Sequence, residues 1–113
     1  MKKSKDKMRL VSDIDGVVCS NTWGDYEKAE PIKENILLLN KLYDKGIEVV
    51  YFTARGSETG IDCRDITVNQ FRKWGIKYTD IKFGKPNADF YIDDRGYNID
   101  RIESVYSKIM EGL

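Results

Sequence analysis

The tetrapeptide Asp13-Ile14-Asp15-Gly16 follows directly on the apolar run Met8–Val11, and it limits what this chain can become. The run reads as a buried strand over Arg9–Ile14, and two carboxylates one residue apart cannot carry that strand on into a core. The strand has to end at a surface or in a cleft. Near one turn of backbone the two negative charges repel. Such a pair is normally tolerated where a cation or a transferring phosphoryl group uses it.

Strand and helix signals alternate along the rest of the chain. Residues Pro31–Tyr43 carry Ile32, Ile36, Leu39 and Tyr43 at helical spacing, with Pro31 at the first turn and Gly46 just past the end. Ile47–Phe52 is β-branched and aromatic, a second strand. Ile61–Trp74 has a looser apolar face (Ile61, Val68, Phe71, Trp74) and is closed by Gly75, with Trp74 read as core. Tyr78–Phe83 and Ala88–Ile92 are expected as third and fourth strands. Asn98 then caps a last helix bearing Ile99, Ile102, Tyr106 and Ile109 on one face. This order implies a small doubly wound α/β domain with a parallel sheet flanked by helices.

With 113 residues the chain reads as a single domain over 1–113, its basic first seven residues a solvated tail. No apolar stretch follows that tail as a signal peptide requires, and none reaches transmembrane length, so the cytoplasm is the expected compartment. Nineteen basic residues balance nineteen acidic ones, which argues against a general nucleic-acid or membrane-surface binder. Two cysteines, Cys19 and Cys63, are read as free, partly buried thiols. There is no histidine. Ser-His-Asp and Cys-His mechanisms are therefore excluded, as are histidine-ligated metals.

In a parallel sheet, ligands bind outside the carboxyl ends of the strands. The remaining reactive residues fall at such ends. The second strand runs into Thr53-Ala54-Arg55-Gly56, Lys85 follows the third, and Asp93-Asp94 follow the fourth. One rim is thus expected to gather Asp13, Asp15, Thr53, Lys85, Asp93 and Asp94. Four carboxylates with one ammonium call for more positive charge, and an oxygen-only donor set suits Mg²⁺. Phosphoryl transfer is the chemistry that fits, with one carboxylate attacking phosphorus and a second moving protons.

With these residues in this order, the chain resembles the haloacid dehalogenase (HAD) superfamily of phosphatases over about Met8 to Ile109. Asp13-x-Asp15-Gly16 matches its first motif, Thr53 its second, Lys85 its third and Asp93-Asp94 its fourth. The resemblance implies a three-layer α/β/α Rossmann-like core with a mostly parallel sheet. It implies Asp13 as nucleophile, forming an aspartyl-phosphate, and Asp15 as general acid/base. Phosphoryl binding would fall to Gly16, Thr53, Ala54, Arg55 and Lys85, and Mg²⁺ to Asp13, Asp15, Asp93 and Asp94.

HAD enzymes usually carry a cap domain, and the spacings Asp15 to Pro31 and Thr53 to Lys85 leave no room for one. The expected site is open, covered only by Val17–Glu30, where Trp23 and Tyr26 either contact substrate or pack. Arg55 and Arg95 either contact substrate or neutralise the acidic rim. The segment Lys85–Arg95 is similar to that of small capless phosphatases associated with bacterial capsule and surface-polysaccharide biosynthesis, which implies a small sugar or alcohol phosphate as substrate. Without a cap, a second copy of the chain is a possible source of the lid. The phosphatase domain of polynucleotide kinase-phosphatases is also similar, which leaves a polynucleotide 3′-phosphatase as the alternative. A response-regulator receiver uses the same residue types in a different chain order, and an idle HAD-fold interaction module would not need all of them.

Overall fold

A computed structural model describes residues 8–113; the basic tail over 1–7 lies outside the described residues. Three short strands, β1 (Arg9–Ser12), β2 (Glu48–Thr53) and β3 (Asp80–Phe83), pair in parallel in the order β1-β2-β3. The register sets Val11 beside Val50 and Tyr51 beside Ile81. Helix α1 (Lys33–Asp44) crosses from β1 to β2, α2 (Arg64–Trp74) from β2 to β3, and α3 (Ile102–Glu111) follows a 3₁₀ turn at Ile99–Arg101. The protein is an α/β domain with a parallel sheet.

Local chemistry sets the element ends. β1 stops at Ser12, short of Ile14, because Asp13 Oδ1 accepts the Ile14 N–H at 2.8 Å and turns the backbone out of the ladder. α1 begins at Lys33 because Pro31 is held in a bridge to Cys19. α2 begins at Arg64, whose N–H is accepted by Asp62 Oδ1 at 2.9 Å, leaving Ile61 outside the helix and exposed. Gly75 ends α2 in the left-handed conformation at φ 71°, which a side chain rarely adopts. Asn98 caps the last helical segment by accepting the Asp100 N–H, as its sequence position suggests.

Consecutive strands joined by right-handed crossovers put α1 and α2 on the same face of the sheet. That face carries the core: Val49, Tyr51 and Ile81 pack with Leu39 and Leu42 of α1 and Phe71 of α2. Phe71 meets Tyr51 and Tyr78 edge to face, with ring centroids 5.0 and 5.4 Å apart. Ile102, Tyr106 and Ile109 of α3 pack half-buried against this same cluster, as does Trp74. On the other face, Arg9, Val11, Val50, Phe52 and Lys82 line a groove of about 390 Å³ formed by strand residues and Thr79 alone. The helices expected on both faces are therefore found on one, among the described residues.

The fourth strand is not formed. Ala88–Ile92 is irregular, with Phe90, Tyr91 and Ile92 exposed, and among the described residues β1 pairs only with β2. Local bonds hold this segment as a loop: the Tyr91 hydroxyl donates to the Pro86 carbonyl and accepts the Ala88 N–H at 3.2 Å. The free edge of β1 instead faces a groove of about 760 Å³, whose far wall includes Tyr97, Ile102 and Ile109.

Phe71 joins both strand and helix layers, so Phe71→Ala should destabilise the domain by about 3–5 kcal/mol. Chemical denaturation monitored by circular dichroism measures this loss; a change below 1 kcal/mol would mean that the aromatic cluster is not the centre of the core.

Candidate active site

The carboxyl ends of all three strands lie on one rim, and each delivers a polar residue at or just beyond its last ladder position. Asp13 follows β1, Thr53 ends β2, and Lys85 follows β3 after Gly84, whose φ of 93° turns the chain back. The Lys85 N–H donates to the Thr53 carbonyl at 3.0 Å, which extends the β2–β3 pairing to the lysine itself. Its ammonium then reaches Asp13 Oδ2 at 3.4 Å. The Ser57 hydroxyl donates to the Lys85 carbonyl at 2.9 Å, and the Tyr91 ring lies 4.7 Å from the ammonium. Asp13 thus shows one oxygen tied to backbone and one facing a cation, on a part-exposed side chain.

Asp15 is treated differently. Its two oxygens accept a fork from Arg55, Nε to Oδ2 at 3.0 Å and Nη2 to Oδ1 at 2.9 Å. The Arg55 side chain has 0% exposure. Its Nη1 donates to Thr67 Oγ1 at 3.1 Å and to Gln70 Oε1 at 2.7 Å, and Nη2 also lies 3.6 Å from Cys19 Sγ. A guanidinium has five N–H donors, and here each has a partner inside the protein. The Tyr26 ring stacks 4.5 Å from the guanidinium carbon, while the Tyr26 carbonyl accepts the Gln70 side-chain amide at 2.6 Å. Burial disfavours the charged guanidinium, but the hydrogen bond and charge of Asp15 outweigh it and raise the Arg55 pKa.

Of the two roles open to Arg55, its contacts are those of the second: it neutralises Asp15. Tyr26 packs, whereas Trp23 stands 91% exposed at a left-handed position. Thr53 is buried and its hydroxyl accepts the Arg55 N–H at 3.0 Å, so it braces the β2 turn. Ala54 closes the same turn by accepting the Ser57 N–H. Gly16 at φ 89° hydrogen-bonds to the Cys19 carbonyl, with Asn21 in contact distance of any added Cβ. Asp93 and Asp94 are exposed, and Asp93 lines the groove beside β1 together with Ser12 and Val17. Asp93 is spent on the Arg95 N–H at 2.7 Å. Arg95 is exposed as well.

Among the described residues, no group of three or more acidic or cysteine side chains comes together to hold a metal ion. Both Asp15 oxygens are engaged by Arg55 and one Asp13 oxygen faces Lys85, so of these two carboxylates Asp13 is the one that could offer an oxygen to Mg²⁺ at the rim. What the rim offers directly is a part-exposed carboxylate oxygen beside an ammonium, with a second carboxylate two residues along the chain.

Thr67 and Gln70 are the residues that sequence reasoning missed. Their signal is the gap in the apolar face of α2: both are buried polar positions beside Val68 and Phe71. No domain is inserted over the rim, since residues 16–32 hold only the 3₁₀ turn Tyr26–Lys28 and residues 54–79 only α2. No helix of the described residues is long and apolar enough to cross a membrane.

The fold is shared with known structures. A crystal structure of a structural-genomics target from Vibrio cholerae matches at a TM-score of 0.70 and 26% identity, over 90% of this chain and 98% of that one. Two chains of the Pnkp1/Rnl/Hen1 RNA repair complex match at TM-scores of 0.55 and 0.56 with 18% and 14% identity. They cover 78% and 99% of this chain, which spans only 30% and 34% of their length. No family model and no curated protein matches.

Burial, followed by the Asp15 charge, pushes the Cys19 thiol up to about 12. At pH 8 its thiolate fraction is then on the order of one in ten thousand. Iodoacetamide should leave Cys19 unmodified in the native protein and label it after denaturation; rapid native labelling, read by mass spectrometry, would contradict this packing. Gly56, at φ 82°, has no room for a Cβ beside the Ile61 carbonyl. Gly56→Ala should lower stability by about 1–3 kcal/mol, measurable by thermal denaturation.

Proposed function

We propose that the protein is a phosphomonoesterase of the HAD type, hydrolysing a small sugar or alcohol phosphate through an aspartyl-phosphate. The observation that carries this reading is Asp13 Oδ2 at 3.4 Å from the Lys85 ammonium, on a shared strand-end rim and two residues from Asp15. The resemblance of the sequence in four ordered motifs supports it, and the Vibrio cholerae structure extends the fold over nearly the whole chain.

In this mechanism Asp13 attacks phosphorus as the bond to the leaving oxygen breaks, and Asp15 gives that oxygen a proton. Asp15 then takes a proton from water as the water attacks the phosphoryl group. The bond from phosphorus to Asp13 breaks, orthophosphate departs, and both carboxyl groups are restored. Lys85 offsets charge on the phosphoryl oxygens throughout. Thr53 holds the β2 turn in register with Lys85.

Dependence on Mg²⁺ belongs to the proposal on donor chemistry, since the chain offers carboxylates and no imidazole. The ion would neutralise phosphoryl charge and orient the transferring group. With no inserted cap, small substrates would be selected by Val17–Glu30, where Trp23 is exposed, or by a second copy of the chain.

The likeness to chains of an RNA repair complex supplies a second reading, a polynucleotide 3′-phosphatase. The zero net charge weighs against it, because nucleic-acid affinity rests largely on basic residues.

Purified protein should release orthophosphate from a panel of sugar and alcohol phosphates with Mg²⁺ present and stop when EDTA is added. Asp13→Asn should abolish release, and Lys85→Ala should lower kcat by about 10²–10³. Activity that survives in Asp13→Asn would sink the mechanism, and indifference to EDTA would remove the Mg²⁺ requirement. Preference for a 3′-phosphorylated oligonucleotide over every small phosphate would decide for the second reading.

A further inference from the structure

We infer that Arg55 is a positioning residue, holding the Asp15 carboxylate in the orientation its proton transfers require; this rests on the phosphatase reading above. A carboxylate on a short side chain next to a glycine has torsional freedom, and proton transfer is sensitive to small errors of placement. Arg55 removes that freedom. The planar fork fixes both oxygens at 2.9 and 3.0 Å and so sets the plane of the carboxylate. Two of its four lone-pair directions are consumed by the fork, and the Cys19 thiol donates to Oδ1 at 3.5 Å, leaving Oδ2 the less encumbered oxygen.

The fork is itself immobilised from behind. Thr67 Oγ1 and Gln70 Oε1 take both Nη1 protons, and the Thr67 hydroxyl donates in turn to the Cys63 carbonyl at 2.7 Å. Tyr26 covers the guanidinium face at 4.5 Å. α2 and the turn Tyr26–Lys28 thus reach Asp15 through Arg55. No donor of the guanidinium remains for a phosphate, which separates this role from substrate binding. Lysine cannot replace it, because an ammonium is a point charge without the fork.

The leaving group tells the two roles apart. p-Nitrophenolate departs without a proton, whereas an alkoxide needs one, and hydrolysis of phospho-Asp13 needs Asp15 as base for either substrate. General acid–base groups contribute about 10²–10⁴-fold, so Arg55→Lys should cut steady-state kcat for an alkyl phosphate at least about a hundredfold. KM should hardly change. The pre-steady-state burst of p-nitrophenolate should persist within about fivefold, because formation of phospho-Asp13 from that substrate asks nothing of Asp15. In an Asp15→Asn background, Arg55→Lys should add little further loss, as expected of residues acting as one unit.

A burst that falls in step with turnover, a KM rise with kcat intact, or full additivity with Asp15→Asn would each overturn the role. Circular dichroism checks the fold of Arg55→Lys. If that variant does not fold, Gln70→Leu, which frees one guanidinium donor and keeps the fork, decides with the same pattern at roughly a tenfold loss. Wild-type protein without Asp13-dependent phosphatase activity would overturn the phosphatase reading itself, a result distinct from any of these.

Discussion

A guanidinium with no solvent exposure survives in this fold because Asp15 answers it with both oxygens. Removing water from an arginine costs several kcal/mol, and a buried pair is tolerable only with good geometry and its other donors satisfied. Every condition is met here, and meeting them recruits separate parts of the chain. The turn after β1 brings Asp15, the end of β2 brings Arg55, one face of α2 brings Thr67 and Gln70, and the 3₁₀ turn brings Tyr26. Loss of Asp15 alone would strand the charge, at a cost of about 3–5 kcal/mol. The same contacts that stabilise the domain therefore also fix the geometry of its reactive edge.

The repulsion between Asp13 and Asp15 is resolved by division. Each carboxylate has its own cation, from a different strand: Lys85 beyond β3 for Asp13 and Arg55 beyond β2 for Asp15. The division is asymmetric. Asp13 and Lys85 are both partly open, so water or a phosphate can come between them, whereas Arg55 is sealed. β1 ends at Ser12, and the turn that follows it, closed by the Val17 and Val18 N–H groups on the Ile14 carbonyl, separates the two side chains. Asp13 meets Lys85, and Asp15 meets Arg55, which Thr67 and Gln70 of α2 hold from behind.

Much of this edge was legible in the sequence. Asp13, Thr53 and Lys85 follow apolar runs, and parallel strands deliver whatever follows them to one rim regardless of packing detail. Helix ends at Gly75 and Asn98 were legible because capping depends on a few neighbouring atoms. The choice of Arg55 between substrate and acidic rim was not. It depends on two polar residues of α2 facing the core, and a helical wheel with Thr67 and Gln70 on the buried side reads simply as a weak apolar face. The one-sided sheet was equally hidden, since strand and helix order is the same for helices on one face or two. Strand order decides that, and strand order is tertiary.

Phe90-Tyr91-Ile92 has strand propensity, yet propensity is weaker than pairing. To lie beside β1 as expected, this segment would carry Asp93 and Asp94 to the rim with it. The two cations there are already matched one to one with Asp13 and Asp15. Two like charges about 4 Å apart repel by about 4 kcal/mol at an effective dielectric constant of about 20. Added carboxylates would meet that penalty without compensation from the side chains present, whereas in the exposed loop both are solvated and Asp93 caps a backbone N–H. Convergence of all four carboxylates, as their sequence positions suggest, requires positive charge beyond Lys85 and Arg55.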